Sequence, residues 1–236
     1  MISIIIIFFQ IIGVFFQTLK IGKKTFSKQS VEGVNFYTLA LNAFALLSLI
    51  LYEYIHKKSK LFTFYSIVGF ILFYLSCSFL IKYEKDTNKN CKEKMAITIA
   101  LIPAALFISL ATIGNTKYSN YLGIAMGYII GLSFIPFLIH VIKKGNAGVS
   151  VMFLVFTLIT NSLLAYISIG NMPFLIGMIL LAMIKYTILI IIYKQVKKEK
   201  GDDFIKTPKN MRLIIICSPF ITIAAIGLVK TFVTIL

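Results

Sequence analysis

The chain has 236 residues, 59% of them apolar and only 14% charged. A soluble domain carries about 25% charge and under half apolar residues, so an ordinary globular enzyme is excluded. Twenty-four Lys and Arg against eight Asp and Glu give a net charge of +16, which suggests a nucleic-acid binder until the cations are located. They cluster between apolar runs and read as loop charges that orient a membrane protein, so no nucleic acid is called for.

A bilayer core about 30 Å thick needs roughly 20 helical residues. Eight apolar runs approach that length: residues 2–19, 34–55, 61–81, 95–114, 121–142, 149–169, 173–193 and 211–235. The first has neither the basic stretch nor the small-residue cleavage pattern of a signal peptide and is expected to stay as a helix. Polar connections are expected at 20–33, 56–60, 82–94, 115–120, 143–148, 170–172 and 194–210. Those after the first, third, fifth and seventh runs, taken with Arg212 at the start of the eighth run, hold eighteen cations. The opposite face holds five: Lys57, Lys58, Lys60, Lys117 and Lys230. The positive-inside rule then places both termini on the non-cytoplasmic side. Cys77, Cys91 and Cys217 have no metal or disulfide spacing, and neither a metal nor a cofactor is expected.

The chain carries signs of duplication. The fourth run begins at Met95 with Pro103 eight residues on, and the eighth begins at Met211 with Pro219 eight residues on, an offset of 116. The turns into the second and sixth runs carry Gly33-Val34 and Gly148-Val149, an offset of 115. Four helices per unit is an even number, so both copies enter the membrane in one direction, the parallel-repeat plan of several carriers. The expected architecture is an all-α membrane protein of eight transmembrane helices in two parallel four-helix repeats, residues 1–114 and 115–236.

Two stretches bear a resemblance to a known family. In the first unit Phe16-Gln17 closes helix one, and Lys28-Gln-Ser-Val-Glu-Gly33-Val-Asn-Phe36 precedes Ala40-Leu41-Asn42. In the second, Pro136-Phe137 is followed by Lys143-Lys144-Gly-Asn-Ala-Gly148-Val-Ser150 and then by Asn161-Ser162. These tracts resemble the PQ-loop repeat family, which includes the SWEET sugar carriers, cystinosin-like carriers and the KDEL receptors. The resemblance implies a SWEET-like triple-helix bundle in each repeat and a solute site at mid-membrane between them. It also implies hinges at the level of the family's Pro-Gln pair, of which the first copy keeps Gln17 and the second keeps Pro136. The family's pocket asparagines in helices three and seven fall near Ser66 and Phe174.

Lys185 stands apart from its surroundings. It lies in the seventh run about 12 Å from the nearer boundary at Tyr193, and a lysine near a helix centre costs roughly 2.5–3.5 kcal/mol on insertion scales. Three readings stay open: contact with a carboxylate or phosphate of the solute, proton coupling, or snorkelling toward the headgroups. Asn42 and Asn161 offer amide donors and acceptors to a polar solute, or interhelical hydrogen bonds, and Tyr166 is a further pocket candidate. A retinal photoreceptor would want an acidic counter-ion and a tryptophan-rich pocket, and the chain has no tryptophan. A membrane enzyme would want a His/Asp/Glu/Cys constellation at depth, and a purely structural subunit a dry interior. The expected function is a carrier of a small polar metabolite (amino acid, organic anion, sugar or vitamin precursor), with no catalysis and its oligomeric state open. The alternative is a receptor of the KDEL type.

Overall fold

Backbone N–H and C=O groups in hydrocarbon must bond within their own segment, and an apolar run of twenty residues does so only as a helix. The computed structural model describes residues 2–27, 35–55, 60–87, 91–111, 116–144, 151–206 and 208–235, all helical apart from short turns. The elements are α1 (Ile2–Phe26), α2 (Phe36–Ile55), α3 (Lys60–Asp86), α4 (Lys92–Leu110), α5 (Thr116–Leu132), α6 (Ile135–Lys144), α7 (Val151–Ile167), α8 (Met172–Lys206) and α9 (Pro208–Ile235). The turns at Gly33 and Gly148 lie outside the described residues.

Among the described residues six segments are long and apolar enough to cross a membrane: Phe36–Tyr54, Lys60–Asp86, Lys92–Leu110, Lys117–Lys143, Met172–Glu199 and Cys217–Ile235. In α7 the described apolar stretch, Leu154–Ile167, is shorter than a span. Large apolar side chains face outward, Phe8, Phe16, Ile99, Phe107 and Val233 among them, while Gln10, Asn42, Ser66, Asn161 and Lys185 are buried. Apolar outside and polar inside is the inverse of a water-soluble fold. Buried hydroxyls are accommodated by bonding back to the preceding turn: Thr18 to the Val14 carbonyl, Ser76 to that of Leu72, Ser162 to that of Leu158.

Two expectations change. The run at 121–142 is not one helix, for it breaks at Ser133-Phe134 into α5 and α6. Pro136 has no N–H for the carbonyl four residues back and its ring crowds that turn. Beside the break the Ser133 hydroxyl donates to the Ile130 carbonyl at 2.7 Å. The stretch 194–210 is not a loop: α8 continues helically to Lys206, interrupted at Gly201 (φ +65°). Its Lys-rich composition is a good helix former, and charge alone is a poor sign of a loop.

Helix α3 packs on both α1 and α2, and α4 on α2 and α3. In the same way α8 packs on both α5 and α7, and α9 on α7 and α8. Between these groups α2 meets α5 and α6, and α1 meets α7. Of three glycines spaced every four residues along α5, Gly127 and Gly131 face Pro173 and Leu180 of α8, while Gly123 faces Tyr52 of α2. A Cβ at Gly127 would stand 2.3 Å from the Pro173 carbonyl oxygen, so the two backbones touch as small-residue interfaces in membranes allow. The α7–α8 turn needs Gly170, at φ +95°, a conformation strained for any residue with a Cβ.

Candidate functional site

Helix periodicity places Gln10, Val14 and Gln17 on one face of α1, at i, i+4 and i+7. All three open onto a small cavity at the centre of the bundle. From α2 come Asn42 and Leu46, from α3 Tyr65 and Phe73, and from the α5–α6 segment Ile130 and Phe134. Thr157 of α7 and Leu181 and Lys185 of α8 complete the wall. Both groups of helices therefore contribute. The cavity is about 20 Å³, room for a water molecule or so.

Lys185 is only 2% exposed. Its ammonium lies over the Phe134 ring, 4.7 Å from the centroid, and the side chain turns into the bundle rather than out toward headgroups. Among the described residues no carboxylate comes within salt-bridge distance of it; the ion pair between described residues joins Lys94 to Glu84. A cation–π contact is worth about 0.5–2 kcal/mol, less than the roughly 2.5–3.5 kcal/mol of placing a lysine at depth.

Hydrogen bonds tie the two groups of helices together around the cavity. Gln10 donates to Asn161 Oδ1 at 2.8 Å and accepts from the Thr160 hydroxyl, which joins α1 to α7. Asn42 donates to the Thr38 carbonyl at 2.8 Å and to Ser133 Oγ at 2.6 Å, which joins α2 to the break after α5. Beyond the cavity, toward the α7–α8 turn, Asn171 donates to Glu53 Oε1 at 2.9 Å and Tyr52 donates to Asn120 at 3.4 Å. Glu53 is 1% exposed, so this polar bond is sealed inside the end of the bundle.

Of the residues singled out in the sequence, Lys185, Asn42 and Gln17 meet at the cavity. Asn161 is fully buried one layer behind it, holding Gln10. Ser66 is fully buried away from the lining, with its hydroxyl unbonded. Tyr166 is half exposed on the outer surface of α7, outside the cavity. Pro136 sits in the first turn of α6, just past the break, and Phe174 stacks on Phe62 and Tyr65, 4.6 and 5.9 Å between centroids. Gln10, Thr157 and Phe134 were missed. For Gln10 the signal was present, since an amide inside an Ile- and Phe-rich run, seven residues from Gln17, marks a polar stripe on α1.

The fold is that of a multi-pass helical membrane protein, with a small, largely apolar cavity among its helices onto which Gln10, Gln17, Asn42 and Lys185 open. No family model, curated protein or solved structure matches the chain.

Proposed function

We propose that this protein is a carrier that moves a small polar solute, unchanged, by alternating access between two similarly built halves. The observation that carries the proposal is the central cavity, walled by both helix groups and holding an inward lysine without a carboxylate. The packing supports the two halves: exchanging α1, α2, α3 and α4 for α5, α7, α8 and α9 reproduces the same set of neighbours. That is the arrangement expected of two triple-helix bundles, each with an added helix, related by an axis along the membrane normal. At about 20 Å³ the cavity is too small for a metabolite, so the structure corresponds to the closed member of the cycle. The Glu53–Asn171 bond joins α2 of one half to the α7–α8 turn of the other, and in this reading it closes the non-cytoplasmic end.

Cysteine accessibility tests the proposal. In a variant with Cys77, Cys91 and Cys217 replaced, Gln17→Cys is exposed to a membrane-impermeant thiol reagent from each side of sealed vesicles. Labelling from both sides is expected. Cross-linking Glu53→Cys to Asn171→Cys should abolish labelling from the non-cytoplasmic side and spare the other. Labelling from neither side, or labelling indifferent to the cross-link, would overturn the carrier.

A further inference from the structure

Resting on the carrier reading, we propose that the solute is a small organic monocarboxylate whose carboxylate is gripped by Lys185 and Gln17. The argument begins with charge. Among the described residues lining the cavity Lys185 is the one cation, and none is Asp or Glu. Burying an ion is tolerable when a partner of opposite sign meets it and costly otherwise. A neutral solute leaves the ammonium unmet. A dianion, whether phosphate or dicarboxylate, adds a second charge that nothing on the wall balances. A single carboxylate brings the cavity to neutrality.

The remaining groups sort themselves by what they already hold. The Gln10 amide is engaged at both ends by Asn161 and Thr160, and the Asn42 amide nitrogen by Thr38 and Ser133; these side chains position helices. Gln17 is half buried, lines the cavity, and has no hydrogen-bond partner among the described residues. Its N–H is available for the second carboxylate oxygen, and a donor to a charged acceptor forms the stronger class of hydrogen bond. The rest of the wall is largely apolar, with Val14, Leu46, Ile130 and Leu181 facing inward. Such walls suit a short hydrocarbon tail and supply few partners for the many hydroxyls of a sugar.

Thermal unfolding of the purified full chain in detergent, with named probes, tests this. Propionate and lactate are expected to raise the midpoint by about 2–4 °C at roughly five times their dissociation constants. Propionamide, succinate and inorganic phosphate should leave it unmoved. Lys185→Met should fold and lose the carboxylate shift, with Lys185→Gln as the second variant should the first misfold, and Gln17→Leu should weaken propionate about tenfold. Stabilisation by propionamide that persists in Lys185→Met, or carboxylates that shift nothing while Gln17→Cys still labels from both sides, would overturn the monocarboxylate and leave the carrier standing. Loss of two-sided labelling would overturn the carrier itself.

Discussion

One chemical change, made at two glycines, should move stability in opposite directions. At Gly127 a Cβ would lie 2.3 Å from the Pro173 carbonyl oxygen, 3.0 Å from its carbonyl carbon and 3.1 Å from its Cα. All three are backbone atoms, so no side-chain rotation relieves the contact. Ordinary contact is reached near 3.4 Å, so α5 and α8 must separate by about 1 Å. A gap of 0.5–1 Å forfeits a quarter to a half of each dispersion contact along the seam, and overpacking costs typically about 1–3 kcal/mol. At Gly227 in α9 a Cβ meets nothing within 4 Å, and alanine is favoured over glycine inside a helix by about 1 kcal/mol. Both substitutions gain that helical term; only one meets a wall. Gly127→Ala is therefore expected to be destabilising by about 1–2 kcal/mol, and Gly227→Ala neutral or stabilising by up to about 1 kcal/mol. Reversible unfolding in mixed micelles, titrated with a denaturing detergent, reads both. Equal effects of the same sign would refute the close α5–α8 seam.

Three further substitutions probe the interior. Lys185→Met should stabilise the unliganded protein by about 1.5–2.5 kcal/mol, since roughly 2.5–3.5 kcal/mol of insertion cost disappears and a cation–π contact worth about 1 kcal/mol is lost with it; a midpoint below wild type in the same unfolding titration would contradict an uncompensated lysine. Gln10→Leu removes the link from α1 to Asn161 and Thr160 and should cost about 1–3 kcal/mol by leaving buried polar atoms unmet, measured as a drop in the thermal midpoint. Gly170→Ala meets no atom within 4 Å, so its expected loss of about 1–2 kcal/mol comes from φ alone; wild-type stability would mean that the turn adopts another conformation.

The helices and most of their limits were legible because an apolar run in a bilayer has so few options. Residues 34–55 and 61–81 fall within or close to α2 and α3 for that reason alone. Where the sequence misled, two local signals competed. A lysine-rich stretch after Tyr193 reads as loop by charge and as helix by propensity, and propensity prevailed as far as Lys206. Pro136 was visible, but the position of the break was set by Ser133 and its bond from Asn42, ninety-one residues away, which no local pattern contains. The same limit holds at the cavity. Lys185 announces itself, being a cation at depth, whereas Tyr166 and Asn161 differ only in which side of α7 they occupy. Without a contact map, a helix that is apolar all round does not say which face is inside.

The proposed duplication would supply part of what periodicity lacks. Aligning Phe16-Gln17 with Pro136-Phe137 sets an offset of 120 for the first helix of each unit, and that offset carries Gln10 and Val14 onto Ile130 and Phe134. The two glycine turns set an offset of 115 for the second helix, which carries Asn42 onto Thr157. All six side chains line the same cavity, as the proposed pseudo-twofold axis would require. Identity is not conserved along with position: Gln10, Val14 and Asn42 on one side correspond to Ile130, Phe134 and Thr157 on the other. The cavity wall is chemically lopsided, with Gln10, Gln17 and Asn42 on one helix group and Lys185 on the other. In the proposed carrier the symmetry of the two halves would let either end open by the same motion. The asymmetry of the side chains would then give the proposed solute one preferred orientation, charged end toward α8, throughout that motion. Adding a second cation on the first half, as Phe73→Lys would, should therefore shift preference from monoanions toward dianions, read as succinate displacing propionate in the thermal assay. Unaltered preference would mean that the charge on the wall does not select the solute.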